Sequence, residues 1–207
     1  MTPDLRERLC RWGRSLFERG LTGGSSGNIT VRTEAGFLAT PTNACLGFLD
    51  PAALSELDAA GNHTGGPKPT KEVPLHMAFY DARPGTGAVV HLHSTYATLL
   101  SCLADTDPDD AVPAVTPYVV MRVGRVPLLP YVAPGDAAIA PLIRAKAATA
   151  SAVLLSNHGP VVAGATLEAA VFAAEELEET AKLAILGRGQ PLRLLAPAEI
   201  ARLAPRG

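Results

Sequence analysis

The chain has 207 residues, 47% of them hydrophobic and 18% charged, with 18 basic against 20 acidic side chains and a formal net charge of −2. It is too apolar for a disordered chain and too weakly charged for a nucleic-acid or polybasic membrane binder. The 19 glycines and 18 prolines carry no three-residue period, which excludes collagen. One domain over residues 1–207 is expected, large enough to bury a core without disulfide or metal staples. Cys10, Cys45 and Cys102 lie far apart without a C-x-x-C pair, which argues for a reducing compartment. The N-terminal stretch alternates charged with apolar residues and has no h-region, so it does not read as a signal peptide. Asp136, Arg144 and Lys146 interrupt the longest apolar candidate, Ala133 to Leu155. The expectation is a soluble cytoplasmic protein without a membrane or nucleic-acid partner.

Leu5, Leu9, Trp12, Leu16 and Phe17 recur with a helical period over residues 4–19, and Gly20 marks the stop. A small-residue loop then leads into a predicted strand, Asn28–Arg32, and a second strand over Gly36–Thr40. Pro51–Leu57 reads as a helical turn or short connection, and Asp58–Pro69 as a turn-rich loop. A helix is predicted over Lys71–Ala82, with Thr70 as N-cap and Pro74 tolerated near the first turn. Gly87–His93 is a β-branched strand, followed by a helix over Ser94–Leu103. Several short β-like pieces are expected between Val115 and Tyr131, chopped by Pro117, Gly124, Pro127 and Pro130. A helix over Asp136–Thr149, strands at Ala152–Ser156 and Val161–Ala163, and a long helix over Thr166–Leu186 complete the pattern. The run EELEETAK is expected to put its acids on a solvated face. Interleaved strands and helices imply a layered α/β arrangement, with part of the sheet antiparallel where connections are short.

Five histidines are few enough to weigh one by one. His91 and His93 sit at i and i+2 of a predicted strand, about 6.6 Å apart along the chain and on one face. Two imidazoles so placed can converge on one ion, and zinc takes neutral imidazole nitrogens at about 2.0–2.1 Å. His158, in a turn forced by Gly159 and Pro160 after the other strong strand, is available as a third ligand. Two satisfied histidines at a strand end remain the bland alternative. His63 is expected to be solvent-exposed, and His76 to be a packed histidine rather than a ligand. Glu72 opens a helix, where the dipole favours a carboxylate. It reads either as a helix-terminal charge or as a base or metal ligand aimed at the same cavity. The H-E-x-x-H pattern of zinc proteases is absent.

Three loops rich in small or hydroxyl residues could receive an anion: GGSSGNIT, Thr40-Pro41-Thr42-Asn43 and Pro69-Thr70-Lys71. The third opens a helix, a natural phosphate site. Neither a Walker loop nor a G-x-G-x-x-G fingerprint is present. A small phosphorylated substrate is the reading these loops suggest beside the candidate metal ligands.

The segments GGSSGNITVR, TPT, KPTKEVPLH, AVVHLHS and LLSNHGPVVAG, in this order, resemble the class II aldolase/adducin family over roughly residues 5–188. KPTKEVPLH, TPYVVMRVGRVPLLPY and GPVVAGATLEAAVFAAEELEETAKL are most similar to the 3-oxo-tetronate 4-phosphate decarboxylases within it. The resemblance implies a three-layer α/β/α fold around a mostly antiparallel mixed sheet, a zinc-type divalent metal, and a homotetramer with sites between subunits. By the same resemblance, His91, His93, His158 and Glu72 bind the metal, and Glu72 also serves as acid/base. Asn28, Thr42, Asn43, Thr70 and Lys71 fall on phosphate-binding positions, and Tyr118 where some aldolases place a proton donor from a neighbouring subunit. Asn43 departs from the family's usual Gly after TPT. The implied reaction is decarboxylation through a metal-stabilised enediolate to dihydroxyacetone phosphate. Aldolase or epimerase chemistry on another sugar phosphate uses the same site, and a non-catalytic adducin-like assembly module is the third reading.

Overall fold

The apolar stripe at the N-terminus forms helix α1, Leu5–Glu18, which buries Leu9 and Leu16. The computed structural model describes residues 4–203, so both ends of the 1–207 span lie outside the described residues. Strands β1 (Asn28–Arg32), β2 (Gly36–Ala39), β3 (Ser55–Asp58) and β4 (His63–Gly65) follow. Next come α2 (Val73–Ala82), β5 (Ala88–His91), α3 (Thr95–Cys102), α4 (Pro117–Arg122) and β6 (Leu128–Leu129). The remaining elements are α5 (Ile139–Ala147), β7 (Ala152–Leu155), β8 (Gly159–Gly164), α6 (Leu167–Leu186) and α7 (Pro197–Leu203).

All eight of these strands join one sheet in the order β4-β3-β2-β1-β5-β8-β7-β6. Every pairing is antiparallel except β6 with β7. Two apolar clusters, one on each face, make the three-layer α/β/α fold. Ile29, Val31, Val90, Leu154 and Val162 pack against Leu9, Leu16, Val171 and Leu177 of α1 and α6. Phe37, Val89, Val153 and Val161 pack against Leu75, Phe79 and Ile143 of α2 and α5.

Side chains alternate across a strand, and here that parity decides the site. With Val89 facing α2, His91 must face α2 as well. On β1, Ile29 and Val31 face α6, so Asn28 and Thr30 point to α2. Asn28 pairs directly with His91 in the β1–β5 ladder. Polar side chains at the ends of two central strands are therefore delivered to the first turn of one helix.

Three expectations needed correction. Ser55–Asp58 and His63–Gly65 are strands, where a connection and a loop were expected. They add to the open edge beside β2, whose ladder with β3 runs from Gly36–Asp58 to Ala39–Ser55. Local turn residues mask strands that neighbouring backbone recruits. The stretch expected to be β-like pieces contains helix α4, opened by Pro117. Val119 and Val120 are buried in the α1/α6-side core, so tertiary packing overrides their β-branched preference. Helix α7 was not anticipated. Among the described residues, no helix is long and apolar enough to cross a membrane.

Candidate metal centre

β5 ends at His91, Leu92 packs into the α6-side core, and His93 lies just beyond the strand. β7 and β8 are joined by a turn in which Asn157 has a φ of 56°, a left-handed conformation that Asn tolerates better than most residues. That turn presents His158. Gly159 then runs so close to the preceding segment that a Cβ there would come within 2.4 Å of the Leu92 carbonyl oxygen. Bare backbone at Gly159 lets the two histidine-bearing segments touch.

The three imidazoles meet edge-on. His91 Nε2 lies 3.1 Å from His93 Nε2 and 3.2 Å from His158 Nε2. Glu72 closes the group, with Oε2 at 3.4 Å from His91 Nε2 and Oε1 at 3.5 Å from His158 Nε2. His91 is fully buried and its Nδ1–H donates to the Pro160 carbonyl oxygen at 2.8 Å, which leaves Nε2 as a bare lone pair. Burial pushes the His91 ring down to about 3, and the neighbouring histidines add to the effect. His93 and His158 are lowered too, first by burial. Burial alone would raise the Glu72 carboxyl, but attraction to the histidines and the Asn28 hydrogen bond hold it below its ordinary range. At neutral pH the group is three uncharged imidazoles and one carboxylate.

Such a set has lone pairs converging on one point beside a buried negative charge. Protons on the rings do not resolve it, because burial disfavours them. A divalent cation does, and three imidazole nitrogens plus a carboxylate match the donor chemistry of zinc. His91, His93 and His158 each offer a ligand atom within 4.8 Å of the others.

A pocket of about 310 Å³ opens beside the group, lined by Ser25, Ser26, Gly27, Asn28, Thr42, Asn43, Thr70, Lys71, Glu72, His93 and His158. The three loops read as anion sites thus meet at one mouth. Asn43 has a φ of 59°, the conformation that Gly adopts freely and Asn adopts readily. The departure from the family's glycine therefore keeps the backbone shape. Thr70 Oγ1 accepts from the Glu72 backbone N–H at 3.2 Å, so it braces the turn that carries Glu72. The Asn28 side chain turns to Glu72, with Nδ2 donating to Oε2 at 2.8 Å. Tyr118 is 57% exposed on α4 and lies outside this group within the chain. His63 is exposed and His76 fully buried, as expected of each.

One residue with a structural hold on the site was misread. Glu178, expected on a solvated face of α6, is 8% exposed. Its carboxylate accepts from the backbone N–H groups of Tyr96 (2.9 Å) and Ala97 (2.8 Å), capping α3 just after His93. Ser94, at the usual capping position, makes no such bond. Glu178 directly follows Leu177 and stands two positions before Thr180, both fully buried. Glu178→Ala leaves two buried donors unpaired and is expected to cost about 2–3 kcal/mol. Chemical denaturation of the purified variant measures it, and an unchanged midpoint would refute the capping role.

Residues 7–185 match the class II aldolase and adducin N-terminal domain. The chain belongs to the class II aldolase/adducin family. It is 50% identical over 201 residues to the 3-oxo-tetronate 4-phosphate decarboxylase of Escherichia coli, covering 97% of this chain and 95% of that protein. The L-fuculose phosphate aldolase of the same organism is 32% identical over 186 residues, covering 88% and 84%. Among solved structures, YgbL from Escherichia coli superposes with a TM-score of 0.94 at 48% identity, covering 97% of this chain and 98% of that one.

Proposed function

We propose that this chain is a divalent-metal-dependent lyase that decarboxylates a 3-oxo-tetronate 4-phosphate to dihydroxyacetone phosphate and CO2. One observation carries the reading: a buried carboxylate and three neutral imidazoles cluster at a pocket that Glu72, His93 and His158 line, beside three loops rich in small and hydroxyl residues. The choice of decarboxylase over aldolase is supported by 50% identity to the former against 32% to the latter.

In this reading His91, His93, His158 and Glu72 would hold zinc or another divalent cation, one per chain. When bound, the cation supplies Lewis-acid charge where oxygen becomes negative as the carbon–carbon bond breaks. The chain's own groups do the rest. Thr42, Asn43, Thr70 and Lys71 hold the phosphate at the mouth, so the reacting carbons lie deeper, beside Glu72. Loss of C1 as CO2 leaves its bonding pair between C2 and C3 as an enediolate. Glu72 takes up a proton from solvent and passes it to C2, which completes dihydroxyacetone phosphate and regenerates the carboxylate. Because Oε2 accepts from Asn28, the mobile proton sits on Oε1. The reading includes one domain per chain, a cytoplasmic location, and a homotetramer in which the exposed Tyr118 of each copy serves a neighbour's site as a second proton donor.

The test is incubation of the purified protein with 3-oxo-tetronate 4-phosphates and, separately, L-fuculose 1-phosphate. CO2 and dihydroxyacetone phosphate are expected from the first. Retro-aldol cleavage of the second without CO2 from the first would make the enzyme an aldolase. Dialysis against a chelator is expected to abolish turnover and zinc to restore it. Zinc at a hundred times its Kd adds about 2.7 kcal/mol to stability, or about 5–10 °C in Tm. Full activity after chelation would sink the metal dependence.

A further inference from the structure

Behind Glu72 and Asn28, which line the pocket, run buried polar groups that the proposed reaction does not use. Glu72, Asn28, His76, Thr30 and Tyr80 are all under 8% exposed, and His76 is fully buried. Starting from Glu72, their hydrogen bonds have only one consistent direction. The carboxylate Oε2 can only accept, so Asn28 must present its Nδ2 there. Its Oδ1 then faces His76 Nε2, which must carry the hydrogen and donate. His76 Nδ1 is consequently a lone pair, and it accepts from Thr30 Oγ1 at 2.9 Å. The Tyr80 hydroxyl lies 3.0 Å from both the Thr30 hydroxyl and the Thr30 carbonyl oxygen, and donating to the carbonyl ends the chain.

The elements explain why this network is available. Asn28 and Thr30 are successive α2-facing positions of β1, and Glu72, His76 and Tyr80 follow one another at intervals of four along the first turns of α2. A strand period of two and a helix period of four lie side by side and zip together. The amide of Asn28 is the weak link, since its oxygen and nitrogen could exchange places by a simple flip. A flipped amide would set its oxygen against the Glu72 carboxylate and its NH2 against the His76 N–H.

We propose that His76 is a positioning residue: by donating to Asn28 Oδ1 it prevents that flip and holds the Glu72 carboxylate with Oε2 tied back and Oε1 presented to the pocket. The inference rests on the reading of Glu72 as the proton carrier. It also implies that the Asn28 side chain serves Glu72 rather than the substrate phosphate.

The test has a spectroscopic arm and a kinetic arm. Long-range 1H–15N spectra of the wild-type protein are expected to show His76 as the neutral tautomer protonated at Nε2. The tautomer protonated at Nδ1 would overturn the proposal, whatever the enzyme's substrate. In CO2-release assays on 3-oxo-tetronate 4-phosphate, His76→Phe is expected to lower kcat about ten- to hundredfold with KM little changed. His76→Gln, which keeps a donor toward Asn28, should recover most of the loss. In an Asn28→Ala background, His76→Phe should have almost no further effect, because its route to Glu72 is gone. Equal losses in both backgrounds would mean that His76 only fills space, and would overturn the proposal. Should His76→Phe fail to fold, Thr30→Val removes the donor to His76 Nδ1, while Tyr80 keeps its bond to the Thr30 carbonyl oxygen, and is expected to lower kcat by several-fold, wild-type kcat being the overturning result. If Glu72→Gln keeps full activity, the reading of Glu72 has failed. If Glu72→Gln is inactive while His76→Phe matches the wild type, only the present inference has failed.

Discussion

Glu72→Gln protein is expected to turn over 3-oxo-tetronate 4-phosphate about 10²–10⁴-fold more slowly than the wild type, the range that a positioned general acid–base group supplies. Gln keeps the shape of the side chain, and its oxygen can still accept from Asn28 Nδ2. What it lacks is the charge facing His91 and His158 at 3.4 and 3.5 Å, and an oxygen able to carry a proton. Its thermal stability without metal should fall only slightly, because Gln keeps the Asn28 hydrogen bond but loses the contacts that hold the carboxylate ionised. Loss of turnover with a nearly intact Tm separates chemistry from folding. Steady-state kinetics beside a melting curve measures both, and a kcat within threefold of the wild type would rule Glu72 out as the proton carrier.

The second large effect is expected at His91. Its Nε2 contacts His93, His158 and Glu72, so it is the hub of the group. His91→Ala removes the proposed ligand most completely shielded from solvent and leaves a space at the end of a central strand. Metal content near one per chain is expected to fall to a trace, and turnover by about three orders of magnitude or more, matching loss of the metal's contribution to the barrier. Elemental analysis of dialysed protein reads the first, and CO2 release reads the second. Retention of stoichiometric zinc by the variant would move the metal elsewhere. His91→Phe, which keeps the volume of the ring, guards against a loss caused by collapse of the strand.

Much of this site could be read along the chain because its signals are short. His91 and His93 two apart on a β-branched strand, and His158 in a Gly-Pro turn, need only local geometry to be recognised as candidate ligands. Thr166 as a helix cap is equally local, and its Oγ1 accepts from the Ala169 N–H at 3.1 Å. The errors fell where local preference and packing disagree. Val119 and Val120 look like strand residues but fill a helix face, and β3 and β4 look like turns until β2 offers β3 a ladder and β3 offers one to β4. Glu178 looked solvated within EELEETAK because its partners lie 81 and 82 residues earlier.

Composition and motif spacing thus determine the class of fold, the strong strands and helices, and the chemical kind of ligand present. They act over a few residues, through backbone geometry and the period of apolar positions. The tertiary structure alone decides that Asn28 reaches Glu72 across 44 positions, that His91 meets His158 across 67, and that Glu178 secures the helix after His93. Those meetings depend on strand register and on which face of the sheet each side chain takes, quantities set by the packing of the two apolar clusters as a whole.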